Sequence, residues 1–476
     1  MTIEVTVSRP TISLATGTST IPRGVPRAET SFAPSRTAQS SITASPPRLS
    51  AHIAWTVAGN TVYALSQWAV FSILTKTTTL EVVGRFALGL AITAPVFLFA
   101  NLQLRSLQAT DVSGRTAFSD YFGLRLATTS GALLFIAITT LVGRYSPALA
   151  SVILLLALSK AIDALVDVCH GELQRRERFN SIASSTVLRS LMSLVGFTIA
   201  ATLTGSLPLA IVGMCIGSLI TLIFYDAGTL STINSLHPLP RTTASPVFSV
   251  TFISSLRPTW RRARLHEILS TALPLGIVTL LSSLNVNIPR YFVGSHCGSA
   301  TLGVYASLTA VVTGLYVIQI AVSQAVLPRL SRHFFEGDRW AFLKIATFVV
   351  AFGTSNGLFI VLLSVFGGAH FLRLLFSHEF IASTPLFTLI AVVSIVQCVN
   401  GALGFLLQAA RLFRKTVPAS LAATLVISLT SYLLVPSFGA VGAVCAVLAG
   451  TLASCLLLTI HLLIAWLNLP DSSHET

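Results

Sequence analysis

Lys160, Asp163 and Asp167 stand inside a long apolar stretch of this 476-residue chain at spacing i, i+3, i+7. On a helix that spacing puts all three on one face. A charge in hydrocarbon is costly, so such residues turn toward a bundle interior or a water-filled cavity. Two roles fit. Lys160 and Asp163 neutralise each other as a pair holding helices together, or all three line a lumen as a coupling or substrate site.

A second set, Asn285, Asn287 and Arg290, lies close to Pro274 and Pro289. Prolines permit bends, and a bend frees backbone groups that a cavity can hydrate. Arg290 either snorkels at the outer membrane edge or binds an anionic head group such as a diphosphate, to which a guanidinium offers two parallel hydrogen bonds. Arg105, Arg125 and Arg189 would play the matching part near the inner mouth, unless the charge bias of cytoplasmic loops alone put them there. Asn60, Gln67, Asn101, Gln319, Gln324, Gln397 and Asn400 add uncharged amides to apolar stretches. Some of these are helix–helix glue. A wall of amides and arginines also suits a polyhydroxylated anion better than an apolar cation.

Covalent chemistry has no foothold. The chain contains no HExxH, phosphate-cradling P-loop or Asp-rich metal motif. An enzyme is not expected, nor a cofactor. The six cysteines have no metal-ligand spacing, imply no disulfide framework, and place only Cys297 in an outside loop; the ten histidines are scattered singly, so no metal site is expected.

The elements that must position these residues are membrane helices. A chain that is 53% hydrophobic and 10% charged, with mean hydropathy +0.80, is not an ordinary soluble domain. About 20 apolar residues cross the hydrocarbon as a helix. Twelve such spans are expected, at roughly 52–75, 83–104, 119–142, 148–169, 183–204, 207–226, 268–289, 302–327, 342–366, 383–408, 416–436 and 438–467. The runs are continuous, whereas a β-barrel would alternate over about ten residues.

Twenty-four of the 30 Lys and Arg fall in every second connection, counting the N-terminal tail, and only Lys76, Arg85, Arg144, Arg290 and Arg373 lie on the other side. Basic residues in short loops resist translocation, so the crowded side is cytoplasmic and an even number of spans places both termini there. This bias, together with attraction to anionic lipid headgroups, explains most of the net charge of +14, and nucleic acid is not an expected partner.

The expected organisation is a disordered cytoplasmic tail (1–50), a six-helix bundle (51–226), a cytoplasmic basic linker (227–265), a second six-helix bundle (266–468) and a short cytoplasmic tail (469–476). The first segment is rich in Ser, Thr, Pro and Arg and lacks an apolar signal region. The halves echo each other. Leu173-Gln174 precedes Phe179 at the interval by which Leu407-Gln408 precedes Phe413, and Val83-Gly84-Arg85-Phe86-Ala87 matches Leu302-Gly303-Val304-Tyr305-Ala306. Six spans per half orient the two copies alike, as in transporters whose substrate path runs between parallel repeats.

VVGRFALGLAITAPVFLFANLQLRSLQATD (82–111), HGELQRRERF (170–179), IPRYFVG (288–294), LGVYASL (302–308) and AVLPRLSRHFFEGD (325–338) resemble the polysaccharide biosynthesis or oligosaccharide flippase family. These Wzx-type proteins share a superfamily with the multidrug and toxin extrusion exporters and the lipid II flippases. The resemblance covers most of 52–467 and rests on many moderately specific matches. It implies an all-α membrane protein of two six-helix bundles in a V, alternating between inward- and outward-open forms around a cationic cavity. The implied substrate is an undecaprenyl-diphosphate-linked oligosaccharide, moved across a bacterial inner membrane for cell-surface polysaccharide synthesis. Membrane lipids, a polysaccharide polymerase and chain-length machinery are the implied partners. Arg290, Arg105, Arg189, Asn285, Asn287 and Asn101 are the expected substrate contacts, and Lys160, Asp163 and Asp167 the coupling or lumen ion group. A cation-coupled small-molecule exporter of the same fold and a membrane-bound glycosyl-transferring or polymerising enzyme are the alternatives. The first would use Asp163 and Asp167; the second usually carries a large outside loop, and here the largest loop is inside.

Overall fold

The computed structural model describes residues 49–111, 116–234, 258–410 and 412–467. The chain divides at Arg48, and the unit from Leu49 onward is described by itself. The tail expected at 1–50, all but its last two residues, the middle of the linker and the segment 469–476 lie outside the described residues.

Every regular element among the described residues is helical. The helices are α1 (Leu49–Thr77), α2 (Leu80–Ala100), α3 (Leu104–Thr110), α4 (Phe118–Val142), α5 (Pro147–Arg175), α6 (Phe179–Thr204) and α7 (Leu207–Thr221). A π-helical turn, Leu222–Asp226, joins α7 to α8 (Ala227–Asn234). Then come α9 (Arg262–Phe335), α10 (Arg339–Leu375), α11 (Thr384–Ala409) and α12 (Phe413–Leu467). Helix starts carry the expected signals. Ser146 Oγ accepts from the amide of Leu149 with Pro147 in the first turn, and the Asp338 carboxylate accepts from the amide of Ala341.

Two helices are long because each is a folded pair. Backbone angles leave the helical region at Gly298 (φ 83°, ψ 171°) in α9 and at Gly439 (φ 58°, ψ −135°) in α12, conformations open mainly to glycine. The arms fold back on each other: Arg290 reaches Thr309 at 3.4 Å, and Gly450 packs on Ala423 and Ile427. Nine helices among the described residues are long and apolar enough to cross a membrane. Counting these two as hairpins makes eleven crossings. The twelfth, α1, has the length, but Asn60, Ser66, Gln67 and Lys76 make it more polar than the expected first span. Apolar side chains such as Leu141 (81% exposed) and Phe366 (84%) cover the outside, as lipid contact requires.

The helices before Asn234 pack as one set: α1 on α6 with Gly59 against Ala183, α6 on α7 with Gly196 against Gly213, and α2 and α4 on α5. Those after Arg262 pack as another, α9 on α12, α10 on α11 and α11 on α12. The sets join mainly along α2 and α9. There Gly84 lies against the backbone of Ser299, and Gly303 against the backbones of Leu80 and Gly84. These are the two glycines matched in the internal repeat, and each contacts the residue four before the other. An added methyl at either would collide with main chain. The joint is extended by Phe86, Leu302, Tyr305 and Phe376 in one buried apolar cluster, and by the Lys76 ammonium donating to the Leu374 carbonyl at 2.9 Å.

Candidate functional site

The site is built on α5, a crossing of 29 residues. Its face bears Lys160, Asp163, Asp167, His170 and Gln174, so the i, i+3, i+7 pattern runs on for two more turns than the three ionisable residues showed. The helix ends where Glu177 takes a left-handed conformation (φ 57°) and the Arg178 amide reaches back to the Leu173 carbonyl at 2.9 Å.

Each acid of this face is met by arginine from another helix. Arg189 of α6 donates to Asp163 in a short ion pair, and Lys160 lies 3.3 Å from the other oxygen of the same carboxylate. The Arg189 guanidinium also sits 5.8 Å above the ring of Tyr63 on α1. Asp163 is therefore shared, and the simple Lys160–Asp163 pair expected from the sequence is only part of the arrangement. One turn further in, Asp167 accepts from Arg125 of α4 at 2.7 Å and has Arg105 of α3 at 3.9 Å. Arg125 is completely buried and also donates to Asn101, to its carbonyl at 3.1 Å and its side-chain oxygen at 2.5 Å. That assigns Asn101 and Arg125 to holding the structure, not to a free wall.

Arg105 is aimed by strained backbone. Leu102 and Gln103, both non-glycine, take left-handed angles (φ 50° and 52°) between α2 and α3. Such conformations cost about 1–3 kcal/mol each and persist where surroundings fix them. Leu102 is locked among Ile268, Ala272, Leu124 and Val168. The turn delivers the Arg105 Nε to Gln174 Oε1 at 2.9 Å.

Four cations (Arg105, Arg125, Lys160, Arg189) thus face two carboxylates, which leaves two positive charges without an acid. Beside Lys160, Asp163 and Arg189 is a cavity of about 30 Å³, lined also by Gln67, Ser159 and Ser190. That is room for a water molecule. A sugar-bearing head group would need the helices to part.

The second set is separate. Asn285 accepts from Thr424 of α12 at 2.6 Å, which makes it a link between α9 and α12. Asn287 donates to Ser283 on its own helix at 2.9 Å. Arg290 is half-buried, eight residues before the turn at Gly298, and among the described residues its hydrogen bonds are two long ones, to Asn287 Oδ1 and Thr309 Oγ1, each at 3.4 Å. No carboxylate among the described residues lies within salt-bridge distance of it. The helix continues beyond Arg290, and its side chain turns to the other arm of the hairpin. The structure does not bring Arg290 into contact with the Asp163 and Asp167 group.

Among the described residues no group of His, Cys, Asp and Glu could hold a metal ion. Along α2, α4 and α9 runs an apolar crevice of about 1060 Å³, from Leu102 at one end to Tyr145 and Ser295 at the other. Sequence reasoning missed His170 and Asp226. His170 continues the α5 face by one step, a signal that was there to be read; the burial of Asp226 had none.

No family model matches the chain. Over 385 residues it is 26% identical to the capsular polysaccharide biosynthesis protein CapF of Staphylococcus aureus, covering 81% of this chain and 91% of that protein. Its fold matches an inward-facing multidrug resistance MATE family transporter of the MOP superfamily, with TM-score 0.69, 15% identity and coverage of 86% of this chain and 96% of that one. The outward-facing form of such a transporter matches at TM-score 0.60, with 15% identity, 88% and 96% coverage. A MOP superfamily transporter from Pyrococcus furiosus, described by a reversed polarity of its binding pocket, matches at 0.60 with 16% identity, 88% and 95% coverage. The chain is a multi-pass membrane protein with the fold of these transporters. Its polar interior is a set of charges on crossing helices.

Proposed function

We propose that this exporter carries a lipid-linked oligosaccharide with an anionic diphosphate from the cytoplasmic to the outer leaflet of a bacterial inner membrane, by alternating access. The observation that carries the reading is the excess of cations over acids at two places, four cations against Asp163 and Asp167 on the α5 face and Arg290 with no acid near it in the second half. A diphosphate moving through a low-dielectric path is stabilised by such groups. The relative of S. aureus named for capsular polysaccharide biosynthesis supports the same substrate class. The apolar crevice beside α2 suits a chain that stays in lipid while only the head enters the protein. A cationic drug would need free acids, and Asp163 and Asp167 are both engaged by arginine. In this reading both termini are cytoplasmic, Cys297 is reached from outside, and a polymerase acts on the delivered unit.

Arg290, Arg105 and Arg189 are the residues we assign to the diphosphate, with Asn285, Asn287 and Asn101 fixing the helices that carry them. Arg290→Ala should abolish most surface polysaccharide at normal protein levels, because no acid is left behind to destabilise the fold. Arg290→Lys should recover part, since an ammonium lacks the two-pronged contact. Full polysaccharide in the alanine strain returns Arg290 to a packing role. An active alkaline phosphatase fused at Thr476 would reverse the orientation.

A further inference from the structure

The first half holds a second set of titratable side chains that the diphosphate reading leaves unused. His170 follows Asp167 on the α5 face and meets Asp226 and Ser185 where α5, α6 and the π-helical turn close on one another. Its Nε2 is 2.8 Å from Ser185 Oγ and 3.6 Å from Asp226 Oδ1. The Asp226 side chain is 0% exposed and that of His170 4%. Neither carboxylate oxygen of Asp226 has a hydrogen-bond partner among the described residues. A π-helical turn breaks helix register and recurs at functional sites. Here it turns an acid into the protein at the end of an otherwise apolar helix.

We propose that His170 and Asp226 form a proton-binding site whose occupancy is linked to the anion in the neighbouring lumen. The proposal rests on the diphosphate reading for the identity of that anion. The charged and titratable groups around the pair are Asp167, Cys169 and Glu172 on α5, Arg189 on α6 and Arg105 on α3. Glu172 is already held by Arg175 at 3.0 Å, Arg176 at 2.8 Å and Gln108 at 3.1 Å. Arg105 and Arg189 belong to the cation-rich lumen.

A buried carboxylate without hydrogen bonds is costly unless it is neutralised. With one proton on the pair the site carries no net charge, either as imidazolium facing carboxylate or as imidazole beside carboxylic acid. Without it the site carries one negative charge. An empty lumen, with its excess of cations, tolerates that charge. An anion in the lumen cancels the excess, and the pair then takes a proton from water onto Nε2 or a carboxylate oxygen. Ser185 Oγ serves both states, donating to a neutral Nε2 and accepting from a protonated one. Linkage makes the effect mutual: protonation strengthens anion binding by the same factor that the anion strengthens protonation.

The test uses the full-length protein in lipid nanodiscs. Infrared difference spectra across neutral pH, without ligand, should show a protonated-carboxyl band that Asp226→Asn removes. If Asp226→Asn does not fold, His170→Gln should move the midpoint of that band by roughly one pH unit or more, as loss of a neighbouring charge partner does. A band unaltered in whichever variant folds overturns the proposal. Inorganic pyrophosphate is then the probe, with binding read by calorimetry and protons by a pH dye. Wild type should take up protons on binding, and Asp226→Asn should bind without uptake. Equal uptake in both overturns the link to the lumen. Failure of pyrophosphate to bind wild type at all counts against the diphosphate reading and the link, while the infrared arm still decides whether the pair holds a proton.

Discussion

The two halves of the molecule share a plan and differ in what fills it. In the first half, α1, α3, α4, α5 and α6 are tied through arginines to the two acids of one α5 face. In the second, the equivalent ties are neutral. Gln319 donates to the Cys398 carbonyl at 2.6 Å, Thr424 to Asn285 at 2.6 Å, and Gly357 seats against Ile395. Of its described membrane-crossing interior, Arg290 is the charge, and it has no acid. The difference teaches that one architecture tolerates either kind of mortar, so the charges of the first half are not required by the fold class. They cost desolvation, and a bundle can be held without them.

The contrast breaks first at Asp167. Its removal leaves the buried Arg125 guanidinium without a counter-charge, a loss of about 3–5 kcal/mol for a pair taken out of water. Asp167→Ala should lower the thermal unfolding temperature in detergent markedly, whereas Thr424→Val in the second half should shift it little. Equal shifts would erase the distinction between the halves.

Next is Asp163. From the sequence, removing Lys160 together with Asp163 should relieve the uncompensated charge. The structure changes the expectation, because Arg189 would remain buried and unpaired. Asp163→Ala with Arg189→Ala should therefore be more stable than Asp163→Ala with Lys160→Ala. Contacting residues couple by about 0.5–3 kcal/mol, and a double-mutant cycle measures it. Equal recovery by both doubles would restore the simpler pair.

A smaller effect is expected where the halves meet. Gly84→Ala and Gly303→Ala each insert a methyl against main chain, and overpacking costs about 1–3 kcal/mol. Both should impair transport more than they impair expression. A Gly84→Ala protein with normal transport would show that the joint is not fixed. The smallest effect belongs to the exposed Glu81–Arg85 pair on α2, at 2.5 Å one turn apart. Arg85→Ala should change stability by no more than about 0.5 kcal/mol.

Much of this was legible in the sequence. Apolar run length matches eleven of the twelve expected crossings, and the periodicity of Lys160, Asp163 and Asp167 put them on one face. What periodicity cannot give is the partner across a helix gap. Arg189 is 26 residues from Asp163, and Arg125 is 42 from Asp167. Both arginines count equally well toward a cytoplasmic charge bias, and loop charge and lumen charge look alike in a one-dimensional count. The seventh expected span ends at 289, one residue before Arg290, whereas α9 runs on to Gly298 before it folds back.

The reciprocal seating of Gly84 and Gly303 has a consequence for symmetry. A residue that touches the partner of its own equivalent is the signature of a self-complementary interface between identical subunits about a two-fold axis. The two halves therefore meet as two copies of one subunit would, each offering the other a glycine and the backbone one turn before it.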